Sequence, residues 1–342
     1  MDDEDPAGVA SASRRKRIHA LAVSALRGPT LSATLHGMDS STPDRTRAAG
    51  ALAAFGVLAA VAAAVLGFVA VGTEAGQRWD DAGRGGVSPW DQPQVFRGAN
   101  ELLDTISVTT LAVLGAAIIL LALLRGRPRL AVAAGVVLLG ANVTTQVLKE
   151  AFDRPDLVLG WATEPGAFPS GHTTVAMSLA MALMIVVPPG IRWSAALGGC
   201  AYAAATGIAV IAIDWHRPSE VVGAYLVVVA WTGLTMAALT MMGEGEARAP
   251  GRAARGDTLA AAGAAAVFAA VVLGAAARRL DLHQLVIDRT SFAVAATICA
   301  GACALLGALA TTLVQRAAMA SRAASSPDIV PRDARRHPDR RG

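Results

Sequence analysis

Residues 167–177 read AFPSGHTTVAM and open an apolar run that continues to Val187. Ser170 stands where a helix N-cap belongs, just behind Pro169 and ahead of the first apolar turn. A cap accounts for the serine. It does not account for a histidine, His172, at the mouth of a helix that is otherwise hydrophobic. The reading of this stretch therefore depends on what surrounds it.

The surroundings are membrane-like. Of 342 residues, 54% are hydrophobic and only 4% aromatic, and the mean hydropathy is +0.48. Eight apolar segments occur, at 48–72, 106–124, 130–148, 171–187, 194–213, 220–242, 258–277 and 291–315. Each is long enough to cross about 30 Å of hydrocarbon as a helix. The expected fold is all-α, a polytopic membrane helical bundle. Only PPGIRW separates the fourth and fifth segments, so they form an antiparallel hairpin. Small residues recur at i, i+4 spacing in two rows, Ala266/Ala270/Gly274 and Cys303/Gly307/Thr311, where helices can approach closely. The polar run NVTTQ (142–146) is expected to hydrogen-bond to neighbouring helices.

Four regions follow. Residues 1–47 are a polar N-terminal segment, expected to be disordered, with SRRKR at 13–17 as a flank of the first span. Residues 48–242 hold six spans, 243–315 hold two more, and 316–342 form a tail rich in Arg, Ser, Pro and Asp, also expected to be disordered. With the N-terminus in the cytoplasm, 21 of the 30 Lys and Arg residues fall on inside segments. The positive-inside rule then puts both termini inside, and segments 73–105, 149–170, 214–219 and 278–290 outside. The abundance of Ala, Gly and Arg points to a GC-rich bacterial genome, and so to a bacterial plasma membrane. Trp79, Trp90 and Trp161 read as interfacial residues.

The three cysteines, Cys200, Cys299 and Cys303, lie inside apolar runs, so no disulfide framework is implied. No Cys/His or carboxylate-rich metal cage is visible, and neither a metal nor a cofactor is expected. A net charge of +4 is modest, and no nucleic-acid partner is expected.

The outside segments carry the chemistry. Lys149 is one of only two lysines in the chain, and it shares the segment KEAFDRP with Arg154. The next span opens with Ser170, Gly171 and His172. The segment DWHRPS supplies His216 and Arg217, with Glu220 at the head of the sixth span. Ionisable residues at helix mouths in a membrane protein are functional candidates by default. These suit attack on a phosphate. Lys149 and Arg154 supply positive charge, and Arg grips phosphate oxygens in pairs. Ser170 and the amides near Gly171 sit at a helix N-terminus, an anion site. His216 and Glu220 are four apart, so the carboxylate can orient the imidazole and raise its basicity. An oriented, basic histidine is a nucleophile. His172 can then protonate the leaving alkoxide.

These residues resemble the type 2 phosphatidic acid phosphatases, which share a core with vanadium haloperoxidases. That family carries K-x6-R-P, P-S-G-H and S-R-x5-H-x3-D in this order. Here Pro169-Ser170-Gly171-His172 is complete. Lys149 and Arg154-Pro155 are separated by four residues rather than six, and Asp156 stands where the family arginine would fall. His216 and Glu220 keep the spacing of the third motif, with Glu for Asp, while Ala209-Val210 replaces Ser-Arg. The resemblance covers about 50–242. It implies His216 as nucleophile, His172 as acid and Glu220 as orienting group. It also implies Lys149, Arg154, Ser170 and Gly171 as phosphate ligands, and Arg217 is a substitute for the lost arginine by location. The substrate would be a lipid phosphate or diphosphate, with membrane lipids as the surrounding partners. A phosphotransferase of the same chemistry and a catalytically decayed lipid-binding protein are the alternatives. A transporter fits less well, because the spans carry almost no charge near their centres.

Overall fold

The computed structural model describes residues 42–83, 92–151, 154–158, 168–243 and 284–323, with scattered helical residues between 262 and 269. Among the described residues every regular element is a helix: α1 Thr42–Gly72, α2 Glu74–Asp81, α3 Pro93–Asp104, α4 Val108–Leu124, α5 Pro128–Ala151, α6 Gly171–Val186, α7 Arg192–Ala212, α8 Pro218–Met241 and α9 Gln284–Ala323. Five stretches are long and apolar enough to cross a membrane: Asp44–Gly72 of α1, α5, α7, α8 and Thr290–Ala318 of α9. α3 and α4 make a sixth if the 56° bend between them is taken as a break in one span. α6 is apolar but shorter, at 16 residues. The chain is thus a polytopic helical bundle. The expected segment 258–277 lies almost entirely outside the described residues, as do 1–41 and 324–342.

Three boundaries differ from expectation. α1 begins at Thr42, inside the segment 1–47 expected to be disordered. The helix that carries the last apolar segment does not stop at 315 but runs to Ala323. Gln315 and Arg316 end the apolar run, yet the Ala-rich sequence after them keeps high helix propensity. Segment 73–105 is not a plain loop either, since α2 and α3 occupy much of it. Thr73 caps α2, its hydroxyl accepting the Gly76 N–H at 3.0 Å, and Glu74 suits the positive end of the helix dipole. α3 starts on Pro93 and turns Ala99 and Leu103 inward as an amphipathic helix.

α8 is the central element, packing against α1, α5, α6 and α9. Its contact with α1 is close because glycine meets glycine. A Cβ on Gly56 would lie 2.9 Å from the Ala230 carbonyl oxygen, and one on Gly233 would lie 2.8 Å from that of Leu52. Backbones approach this closely only where side chains are absent. α6 and α7 form the expected hairpin. α9 lies on α7 through the expected row of small residues: the Cys303 thiol donates to the Cys200 carbonyl at 3.2 Å, and Gly307 seats the Cys200 Sγ. Of the other row, Ala270 and Gly274 lie outside the described residues.

The polar run in α5 bonds as expected to its neighbours. Asn142 donates to the Ser178 Oγ at 3.1 Å, Thr145 and Thr174 share a hydroxyl contact at 3.0 Å, and Trp231 donates to the Thr144 Oγ1 at 3.0 Å. At the C-terminal end of α6, arginines take up the last carbonyls. Arg192 Nε donates to the Met184 oxygen at 3.0 Å, and Arg125 donates to that of Val186. The residues of the three motifs gather at the opposite end of the bundle.

Candidate active site

The turn between α7 and α8 sets the position of His216. α7 closes in a Schellman motif: the Asp214 N–H donates to the Ile211 carbonyl and the Trp215 N–H to that of Val210, at 3.1 and 3.0 Å. Asp214 takes the left-handed residue of that motif, with φ of 64°, a conformation that aspartate tolerates better than most side chains. The His216 N–H also donates to the Val210 carbonyl, at 3.1 Å. Val210, at the position of the family arginine, is fully buried.

Glu220 joins this turn to the helix that follows. Pro218 starts α8 and Glu220 is its third residue, so its carboxylate reaches back to the N-cap as in a capping box. Oε2 accepts the Arg217 N–H at 3.0 Å and contacts His216 Nδ1 at 2.8 Å. An ionised carboxylate can only accept, so the proton sits on Nδ1 and Nε2 keeps its lone pair. Glu220 is completely buried, and Oε1 makes no hydrogen bond. It faces two guanidinium groups, Arg154 Nη1 at 3.7 Å and Arg217 Nη1 at 3.6 Å.

Arg154 is buried between three acids. Besides Glu220, Asp80 Oδ2 and Asp81 Oδ1 each lie 3.6 Å from its terminal nitrogens. At these separations the pairs are ionic without being hydrogen-bonded, and both Nη atoms are otherwise unbonded. Burial and the neighbouring Arg217 push its pKa down, while the three acids oppose that shift. Arg217 donates from Nε to Asp81 Oδ1. Asp80 is pinned by Ser219, whose N–H and hydroxyl donate to it at 2.9 and 2.6 Å. Burial and then the charge of Glu220 raise the Asp80 pKa to about 6. Gln77 ties the same helix to the Arg154 segment, donating to the carbonyls of Val71 and Pro155 at 2.7 Å each.

The P-S-G-H stretch arrives from the other side. Phe168 is buried against Gly223 of α8, and the Ser170 N–H donates to the Glu220 carbonyl at 2.9 Å. Ser170 caps α6, its hydroxyl accepting from Thr173. α6 begins at Gly171, so its first-turn amides and dipole present a positive end here. A Cβ on Gly171 would lie 3.4 Å from Lys149 Nζ, which places the ammonium beside that helix start. His172 sits on the Trp215 ring with centroids 5.5 Å apart, within electrostatic range of His216 and Lys149. Lys149, Gly171 and His172 line one end of a cavity of about 420 Å³, whose other walls include Ile106, Leu111 and Val143.

The structure thus gathers all eight sequence-derived candidates at one end of the bundle, in two linked groups. Lys149, Gly171 and His172 face the cavity, with Ser170 behind them. His216, Glu220, Arg154 and Arg217 form the charge network. Sequence reading missed the acid half of that network, Asp80 and Asp81, together with Gln77 and Ser219. The available signal was the capped acidic stretch TEAGQRWDD at 73–81, in a segment expected on the same side as the motifs.

Residues 130–243 match the model of the PAP2 superfamily. No curated protein and no solved structure matches the chain. The match supports a phosphatase-type activity, a phosphoric ester hydrolase in general, carried by a chain with several membrane-type helices.

Proposed function

With residues 130–243 a PAP2 superfamily segment, we propose that the protein is an integral membrane lipid phosphatase working through a phosphohistidine. The observation that carries this reading is the 2.8 Å contact between Glu220 and His216 Nδ1, which leaves Nε2 as a lone-pair nitrogen. His216 Nε2 attacks phosphorus, forming a P–N bond as the P–O bond to the lipid breaks. His172 gives its proton to the leaving oxygen. Water, losing a proton to His172, then attacks the phosphohistidine. The P–N bond breaks, and inorganic phosphate and free His216 are released. Lys149, Arg154, Ser170, Gly171 and Arg217 offset the charge on the phosphoryl oxygens.

The apolar walls of the 420 Å³ cavity beside Lys149 and His172 favour a substrate with a hydrocarbon chain. The charge asymmetry of the chain favours a site at the extracytoplasmic face of a bacterial plasma membrane, with both termini inside. A headgroup can enter there while its tail stays in the bilayer. The test is phosphate release by purified protein from polyprenyl diphosphate, phosphatidate, phosphatidylglycerol phosphate and a polyprenyl-phosphosugar, with a water-soluble phosphate ester as comparison. Release from at least one lipid in preference to the soluble ester supports the reading; release from none removes it. Transfer of labelled phosphate to an acceptor other than water would identify a phosphotransferase.

A further inference from the structure

We propose that Asp81 is a displaceable counterion that occupies the phosphate-facing arginines while no substrate is bound, and that it sets the affinity of the site for phosphate. The proposal rests on the phosphatase reading above. Its first support is charge balance. Arg154 and Arg217 supply two positive charges, and among the described residues Asp80, Asp81 and Glu220 place three carboxylates against them. A phosphate arriving with up to two negative charges would meet cations already matched by acids. One acid must then withdraw.

The three acids differ in how firmly they are held. Glu220 has no exposed side-chain surface and is bonded to His216 and the Arg217 amide. Asp80 is 4% exposed and held by two hydrogen bonds from Ser219. Asp81 is 38% exposed, at the last residue of a short helix. Like the buried Glu220, it contacts both guanidinium groups, at Arg154 Nη2 and Arg217 Nε, but with an exposed side chain. A rotation about its own side-chain bonds takes it into water without disturbing the buried pairs. At Arg154, 3.6 Å away with unbonded Nη atoms, no hydrogen bond is lost; the bond given up is the one from Arg217 Nε, which a phosphate oxygen can accept in its place. Asp81 is therefore a positioning residue: it holds two forks in place and yields them to a better-matched anion.

The experiment measures binding of inorganic phosphate to the purified full-length chain, with no turnover required. Asp81→Asn is expected to lower the Kd for phosphate about tenfold, a shift of roughly 1.4 kcal/mol. Asp81→Ser should do the same, and Asp81→Glu should restore the wild-type value. Glu74→Gln, on the same helix but paired with Arg78, should leave it unchanged. If wild type binds phosphate and both neutral variants bind it equally or more weakly, Asp81 is a structural support and the proposal falls while the phosphatase reading stands. Equal tightening by Glu74→Gln would also overturn it, because the effect would then be general charge. If no chain binds phosphate, the proposal and the phosphatase reading fail together.

Discussion

Glu220 does three things with two oxygens. Oε2 holds the His216 ring and the amide of Arg217, the N-cap of α8, while Oε1 faces both arginines. Glu220→Gln keeps the shape but removes the charge, and an amide nitrogen in that position cannot accept from Nδ1. The imidazole loses its tautomer bias and its anionic partner. Hydrolysis should fall by about 10²–10⁴, the range of acid–base assistance, while thermal unfolding in detergent stays near wild type. An unchanged rate would show that the pair serves only to cap α8. Asp80 makes a prediction of a different kind. Its folded pKa of about 6 lies above the ordinary 3.8. The folded state therefore holds its proton to higher pH than the unfolded state does. Its contribution to stability is fully present below about pH 3.8 and is lost as pH rises through about 6. The difference in unfolding temperature between wild type and Asp80→Asn should change across that window and level off above it. A constant difference would mean that Asp80 titrates alike in both states.

At the scale of elements, packing at the hub decides whether the site exists. α8 carries Glu220 at its head and meets α1 through Gly56 and Gly233. Gly233→Val would drive a side chain into the Leu52 carbonyl. Overpacking of this sort costs about 1–3 kcal/mol, which should appear as a lower unfolding temperature and reduced activity together. Wild-type stability would mean that α1 and α8 can separate freely. The elements also show what sequence makes readable. The α6 start and the His216–Glu220 pair were legible because their meaning is local: a cap, a glycine, two residues one helical turn apart. The NVTTQ bonds were legible because polar groups in an apolar helix need partners. Asp80 and Asp81 were not, since their partners lie on α8 and beyond α5, far along the chain. A short polar helix between apolar runs gives no periodic signal of what it docks against. The same holds for Arg217. Its place beside His216 suggested a free phosphate ligand, and only the docking of α2 brings Asp81 to it.

For the whole molecule, the distribution of charge predicts how the bundle sits. Single-cysteine labelling with an impermeant reagent should mark Glu164→Cys in intact cells and leave Gly126→Cys silent; the reverse pattern would turn the site toward the cytoplasm. The chemistry at that end is proposed to use side chains alone, so chelation should not affect it. The central claim is that His216 carries the phosphoryl group, and the most direct measurement is acid-stable versus acid-labile labelling of the protein during turnover of a ³²P-labelled lipid phosphate in excess EDTA. Wild type should carry a rapidly formed, acid-labile and base-stable label, absent from His216→Ala, which should also release no phosphate. Phosphate release by His216→Ala at a rate near wild type, or a label that persists in that variant, would contradict that claim.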